Sequence, residues 1–271
     1  MVLIGELINS TRKQVEPILR SRDQAALVDL ARRQVEAGTP ILDVNCATLV
    51  EEEGACMEWA VRTIQGALPE VRISLDSPNP EAIRRGLEVH RGRAVVNAIN
   101  LERDRWRSLL PLVREYRAEV VATCIDDAGV AKTAEQKFEL AFRLVEGLVE
   151  AGIPPEDIYV DPLLLPVATD LNAGREFLRA VDLIRARFPQ VHLICGLSNV
   201  SFGLPHRALL NQVFFVLCLA HGMDAFILNP LDRRLMAHLL AAQALLGQDP
   251  YCRRYLAAAR EGRLDFPPPS R

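Results

Sequence analysis

The chain lacks a long hydrophobic run, closely spaced cysteine pairs, a surplus of one charge and a glycine-rich phosphate loop, and each absence removes a class of function. Its longest apolar run, Val213 to Ala220, is far short of the ~20 residues that cross a bilayer. The opening Met1-Val2-Leu3-Ile4-Gly5-Glu6 has no basic segment and meets an acid early, so neither a signal peptide nor an anchor is expected. The six cysteines, Cys46, Cys56, Cys124, Cys195, Cys218 and Cys252, form no C-x-x-C pair and read as free thiols of a reducing cytoplasm. With 32 basic and 35 acidic side chains, net charge is -3. That balance offers no field for nucleic acid and no polybasic membrane patch, leaving a small molecule or a protein as partner. Neither G-x-G-x-x-G nor a phosphate loop ending in Lys-Ser or Lys-Thr occurs, which disfavours nucleotides and sugar phosphates. No histidine stands at the carboxyl end of an apolar run, so zinc ligation of the usual type, and with it a bound metal, is not expected.

What the chain has is regular alternation. Its 271 residues, 49% hydrophobic, match the length of one eight-fold α/β barrel. Short apolar runs mark strands at Val2–Ile8, Pro40–Cys46, Val71–Asp76, Ala94–Asn97, Glu119–Cys124, Ile158–Asp161, His192–Cys195 and Ala225–Leu228. Each is followed by a stretch with apolar residues near i, i+3, i+4 and i+7: Gln24–Ala37, Glu52–Ala67, Pro80–Val89, Arg103–Tyr116, Ala134–Ala151, Asn172–Phe188, His206–His221 and Arg233–Leu246. Gly38, Gly152 and Gly222 fall where helix C-caps belong. The expectation is a (β/α)8 TIM barrel in one domain over 1–262, with 263–271 a frayed tail; an open doubly wound sheet is the structural alternative.

In such a barrel, ligand-binding residues collect at the carboxyl ends of the strands. Those ends carry Glu6 and Asn9, Asp43 and Asn45, Asp76, Asn97 and Asn100, Asp126 and Asp127, Asp161, Ser198 and Asn199, and Asn229. Any one aspartate before a helix, Asp76 for example, is also a good N-cap. Carboxylates and carboxamides recurring around one rim suit a planar heterocycle edged with donors and acceptors, because a carboxylate accepts two parallel hydrogen bonds from an N–H/NH2 edge. Pterin has that edge. The loop Gly196-Leu197-Ser198-Asn199-Val200-Ser201-Phe202-Gly203-Leu204-Pro205 supplies an amide, two hydroxyls and close backbone approach but no acid, base or strong nucleophile; a plain Ser/Asn/Gly turn is its alternative reading.

The segments Gly5 to Thr11, Leu42 to Asn45, Leu75 to Ser77, Val96-Asn97 with Asn100, Tyr159 to Leu163, Gly196 to Pro205 and Leu228 to Pro230 resemble the pterin-binding methyltransferase family, and within it the methyltetrahydrofolate:corrinoid protein methyltransferases. The resemblance runs from Met1 to about Tyr255. It implies a homodimeric, cytoplasmic pterin-binding barrel that moves a methyl group between N5 of 5-methyltetrahydrofolate and Co(I) of a corrinoid, a cobalamin cofactor held by a partner protein. It implies that Asp76, Asn97 and Asp161 hold the pterin edge, that Asp43 and Asn45 back or touch the ring, that Asn199 lies near N5 and that Ser198 shapes its loop, with Glu6 and Asn9 also at the substrate. Phe202, Leu204 and Leu164 are candidates for corrinoid docking. Where corrinoid iron-sulfur protein methyltransferases carry a glutamine three places after the asparagine, this chain has Phe202. Arg103, Arg105 and Arg207 are candidates for the folate glutamate tail or the partner's charge, or solvated helix arginines. Two alternatives stay open: a dihydropteroate synthase, although no lysine lies between Gly196 and Pro205, and a non-catalytic pterin-binding subunit.

Overall fold

The computed structural model describes residues 1–266. In chain order the elements are β1 (Val2–Asn9), α1 (Glu16–Ser21), α2 (Gln24–Glu36), β2 (Ile41–Asn45), α3 (Glu53–Ala67), β3 (Arg72–Asp76), α4 (Pro80–Val89), β4 (Val95–Leu101), α5 (Arg103–Glu115), β5 (Glu119–Asp126), β6 (Gly129–Val130), α6 (Ala134–Glu150), β7 (Ile158–Asp161), α7 (Ala173–Arg187), β8 (His192–Leu193), α8 (Arg207–Ala220), β9 (Ala225–Leu228), α9 (Arg233–Leu245) and α10 (Arg253–Arg260). Apart from β6, which folds back antiparallel on β5, the strands run parallel in the order β8-β7-β5-β4-β3-β2-β1-β9. The ring closes where Ile227 N–H donates to the Cys195 carbonyl at 3.0 Å and Gly196 bridges Ile227. This is a (β/α)8 barrel, and closure rules out the open sheet.

Strand alternation explains where the barrel turns from apolar to polar. Successive side chains face opposite sides, so residues two apart share a face. Ile4, Ile41, Val95, Val121, Tyr159, Ile194 and Ala225 pack together as one layer inside the barrel. Their odd-numbered or even-numbered neighbours, such as Leu3, Leu42, Val96, Val120, Val160 and Leu193, join the larger core between strands and helices. Two residues beyond the inner apolar layer lie Glu6, Asp43, Asn97, Asp161, Gly196 and Ile227, all of which line the mouth. The period of two thus delivers polar side chains to one end of one interior.

The expected helix stops hold: Gly38, Gly152 and Gly222 take φ of 108°, 89° and 84°. Two elements escaped the periodicity. The six residues of α1 and the two of β6 are too short to show a repeat. Strand β4 runs on to Leu101, four residues past the expected end, so Asn100 lies inside it and is buried. Of the tail expected at 263–271, residues 267–271 lie outside the described residues, while Phe266 packs under the Arg234 guanidinium at 5.4 Å. Five cysteines are buried and free, and Cys252 is exposed. Among the described residues no helix is long and apolar enough to cross a membrane.

Candidate functional site

The barrel mouth opens on a cavity of about 800 Å³. Register places its deepest polar groups side by side, with Asp43 opposite Ser74, Asn45 opposite Asp76, and Asp76 opposite Asn97. Asp43 Oδ1 accepts from Ser74 Oγ at 2.6 Å and from Asn97 Nδ2 at 3.1 Å. Asn45 Nδ2 donates to Asp76 Oδ2 at 2.8 Å, while Asn45 Oδ1 accepts from Ala47 N–H at 3.0 Å. Asn45 therefore stands behind Asp76, outside the cavity lining, and fixes it. Every polar group in this corner is oriented by another.

The electrostatics follow from burial. Burial and the neighbouring Asp76 raise the Asp43 carboxyl well above the ordinary range, while Ser74 and Asn97 only partly offset this. Asp76 is also raised by burial, and its bonds from Asn45 and Asp43 work against that. The contact between the two carboxyls raises Asp43 and lowers Asp76, so burial weighs more heavily on Asp43. Both carboxyls line the cavity. Across the mouth, burial lifts Asp161 to about 6 against the Leu163 N–H, which donates to Oδ1 at 2.8 Å, and against the nearby Lys137 charge.

The opposite wall is built by β1 and the turn Leu197–Ser201, whose hydrophobic Leu197 and Val200 are buried and anchor it. Ser198 Oγ lies 3.0 and 2.8 Å from the two Glu6 oxygens, and Arg12 Nη1 is 3.5 Å from Glu6 Oε1. Burial raises Glu6, and Ser198 and Arg12 counter it. Arg207, exposed at the cavity wall, donates by Nη2 to the Ser198 carbonyl at 2.7 Å and by Nε to Ser201 Oγ at 3.1 Å and so braces the loop. Asn199 is exposed at the cavity wall, with its backbone N–H on the Gly196 carbonyl at 3.1 Å. Its Nδ2 would lie 3.3 Å from a Cβ at position 196, so glycine there leaves the amide its room.

The remaining rim residues divide. Asn9 and Asn229 line the cavity, each closing a local turn by accepting from Thr11 N–H at 2.9 Å and Leu231 N–H at 3.0 Å. Asn100, Asp126 and Asp127 do not line it: Asn100 bonds Glu102, Asp126 pairs with Arg143 at 3.2 Å, and Asp127 accepts from Arg103 N–H at 3.2 Å. Among the docking candidates, Phe202 is 65% exposed at the lip and Leu204 is half-buried. Leu164 is corrected: at 2% exposure it belongs to the core, because the turn after β7 folds it inward.

Two cations were misread or missed. Arg105 does not reach for a ligand; it donates to the carbonyls of Ser77, Pro78 and Ala98 at 2.7, 2.7 and 2.8 Å, tying the loop that follows Asp76 to the β4 backbone beside Asn97. Lys137 is buried beneath Asp161. In sequence each is a charged residue on an amphipathic helix, and only the tertiary fold reveals its target.

A family model described as Pterin binding enzyme matches residues 5–229. The methylcorrinoid:tetrahydrofolate methyltransferase of Eubacterium limosum is 34% identical over 266 residues, covering 97% of this chain and 98% of that protein. The methionine synthase of Mycobacterium tuberculosis is 31% identical over 242 residues, 84% of this chain but 20% of that much longer protein. Among solved structures, the dihydropteroate synthase of Yersinia pestis with a pterine-sulfa conjugate superposes with a TM-score of 0.69 at 16% identity, covering 91% of this chain and 94% of that one. The Xanthomonas albilineans dihydropteroate synthase with 4-aminobenzoic acid gives 0.68 at 20% identity and 92% of both chains. At such identities the structural likeness speaks for the fold alone.

Proposed function

This chain belongs to the pterin-binding enzyme family, and we propose that it is the methyltransferase that moves a methyl group between N5 of tetrahydrofolate and the cobalt of a corrinoid carried by a separate protein. The observation that carries this reading is the polar corner of Asp43, Asn45, Asp76 and Asn97 facing Asp161 across one cavity, together with full-length similarity to an enzyme named for methylcorrinoid and tetrahydrofolate. Asp76 and Asp161 accept from the pterin N–H/NH2 edge, Asn97 meets its amide portion, and Asp43 and Asn45 hold these groups in place.

The cobalt centre supplies the methyl-exchanging nucleophile, so the protein needs no activated serine or cysteine. Its own task is to fix the ring and make N5 a tolerable leaving group. Asn199 hydrogen-bonds at N5 and favours the form carrying developing positive charge; one preorganised donor or acceptor of this kind contributes about 2–4 kcal/mol to the barrier. Glu6, Ser198 and Arg207 hold the Asn199 loop, and Phe202 at the open lip meets the incoming corrinoid. The fold competitor, a dihydropteroate synthase, rests on structural likeness below 25% identity. The domain spans 1–262, the setting is cytoplasmic, and the chain works as a homodimer, to be checked by sedimentation.

The test is anaerobic. Purified protein, 5-methyltetrahydrofolate and Co(I) cobalamin are mixed, and loss of the Co(I) absorbance is followed as methylcobalamin appears; the reverse mixture starts from methylcobalamin and tetrahydrofolate. Transfer above the uncatalysed rate in either direction supports the proposal. Folate binding without transfer to free or protein-bound corrinoid contradicts it and favours a non-catalytic binding subunit.

A further inference from the structure

A lysine is almost never fully buried unless its charge is answered, yet Lys137 on α6 is 2% exposed. Its Nζ donates to two backbone carbonyls, Pro162 and Leu163, each at 2.7 Å. These peptides form the turn that follows Asp161, where Leu163 holds φ at 57°, a left-handed conformation that a non-glycine residue adopts only when its surroundings fix it. The Pro162 carbonyl and the Leu163 N–H belong to one planar peptide and point in opposite directions. Pulling the carbonyl toward the ammonium therefore turns the N–H the other way, where it donates to Asp161 Oδ1 at 2.8 Å. One helix side chain reaches the cavity carboxylate through a single peptide.

We propose that Lys137 is a positioning residue for Asp161: its ammonium grips the Pro162 carbonyl from behind, which presents the Leu163 N–H to the carboxylate, and its charge keeps that carboxylate available as an acceptor. The proposal rests on the reading that Asp161 meets the pterin, but its first readout needs no folate. The groups facing Asp161 are Lys137 from α6, Cys124 from β5 and Cys195 beyond β8; Asp170 and Glu176 face Lys137 from the next loop and α7. Burial pushes the Cys124 thiol up, and a hydrogen bond with Cys218 and then burial do the same to Cys195, so both stay neutral and Lys137 is the one cation of this set. Burial alone drives the Asp161 carboxyl up, and the two influences that oppose it, the Leu163 N–H and the Lys137 charge, both depend on Lys137.

The experiment compares the full chain with Lys137→Met, which removes charge and donors, and Lys137→Gln, which keeps a donor for the turn and guards against loss of the fold. Carboxyl carbon NMR, with Asp161 assigned through Asp161→Asn, reads its titration directly. In the wild type the midpoint is expected near 6, as burial and its opponents set it. It moves to higher pH in both variants, further in Lys137→Met. As a second readout, Lys137→Gln binds 5-methyltetrahydrofolate about tenfold more weakly than wild type at pH 7 and converges with it at pH 9, where Asp161 is ionised in both. A purely structural role would weaken binding equally at both pH values and overturns the proposal, as does an Asp161 midpoint unchanged in both variants. A wild type that binds no methylfolate, with the midpoint still moving, would support the Lys137–Asp161 link and sink the pterin reading instead.

Discussion

At the amino-terminal end of the barrel Asp224 takes Arg185 Nη2 at 2.9 Å, His192 Nδ1 at 2.8 Å and the Leu193 N–H at 2.9 Å, whereas at the carboxyl-terminal end Asp161 takes the Leu163 N–H alone. The same contrast runs through both ends. Below, Glu119 pairs with Arg72 at 2.7 Å and accepts from Tyr159 OH at 2.8 Å, and Asp157 pairs with Arg93 at 2.6 Å. Above, Arg105 and Lys137 stand near Asp76 and Asp161 but spend their donors on backbone carbonyls. The titration directions follow. Burial pushes Asp224 up, yet His192, Leu193 and Arg185 outweigh it and hold it below the ordinary range; Asp76 and Asp161 stay raised. Paired carboxylates close one end of the barrel; at the mouth Glu6 keeps Arg12 at 3.5 Å, whereas Asp43, Asp76 and Asp161 have no ion-pair partner among the described residues.

The most severe way to break this contrast is at the corner. Asp76→Ala should weaken 5-methyltetrahydrofolate binding by about 10³-fold, since truncating one partner of a buried charge-assisted pair costs roughly 2–5 kcal/mol; calorimetric titration checks it. Binding at the wild-type level would remove Asp76 from the ligand contacts and leave it only its bond from Asn45. Next comes the loop: Asn199→Ala should slow methyl transfer by roughly 10²–10³ in stopped-flow single turnovers while folate binding falls much less. Unchanged transfer rates would remove Asn199 from the mechanism.

Stability separates the two ends with opposite signs. Asp161 has a folded pKa of about 6, above its ordinary 3.8, so the folded state holds the proton more tightly than the unfolded chain. Its ionisation therefore destabilises the fold: the penalty is absent below pH 4, grows as pH rises and is complete above about 6. Asp161→Asn should raise stability at pH 7 relative to pH 5 by about 1–3 kcal/mol in urea melts, while folate affinity is lost. Asp224 carries the reverse sign, because its lowered pKa gives stability that is present above the ordinary carboxylate range and lost as pH falls through the folded value. With the Arg185 and Asp224 side chains 25% and 33% exposed, Asp224→Ala should cost only about 1–2 kcal/mol. Folate binding should not change. Loss of binding there would mean that the two ends are not independent.

Much of this was legible in the residues. Strand periodicity of two carries Asp43 and Asn97 to the barrel interior above Ile41 and Val95, and the strand-end carboxylates and amides mark the mouth in the sequence itself. What could not be read was set by partners distant in sequence. Asn100, Asp126 and Asp127 carry the same chemistry as the site residues but are taken up by Glu102, Arg143 and Arg103. Leu164 reads equally as a docking residue or as loop core, and only the turn after Asp161, which folds it into the core, decides between them. Arg105 reads as a folate-tail candidate or a solvated helix charge and Lys137 draws no reading, because nothing local shows that their targets are backbone carbonyls 7 to 28 and 25 to 26 residues away.

The claim that the mouth's unpaired carboxylates await a pterin is tested most directly by titrating wild type and Asp161→Asn with 5-methyltetrahydrofolate at pH 6 in buffers of different ionisation enthalpy. Pairing with the ligand should draw Asp161 into its ionised form, so wild-type binding should release protons, and Asp161→Asn should lose that part of the release along with most of its affinity. Absence of wild-type binding, or tight binding by both proteins with no proton released, would contradict the account.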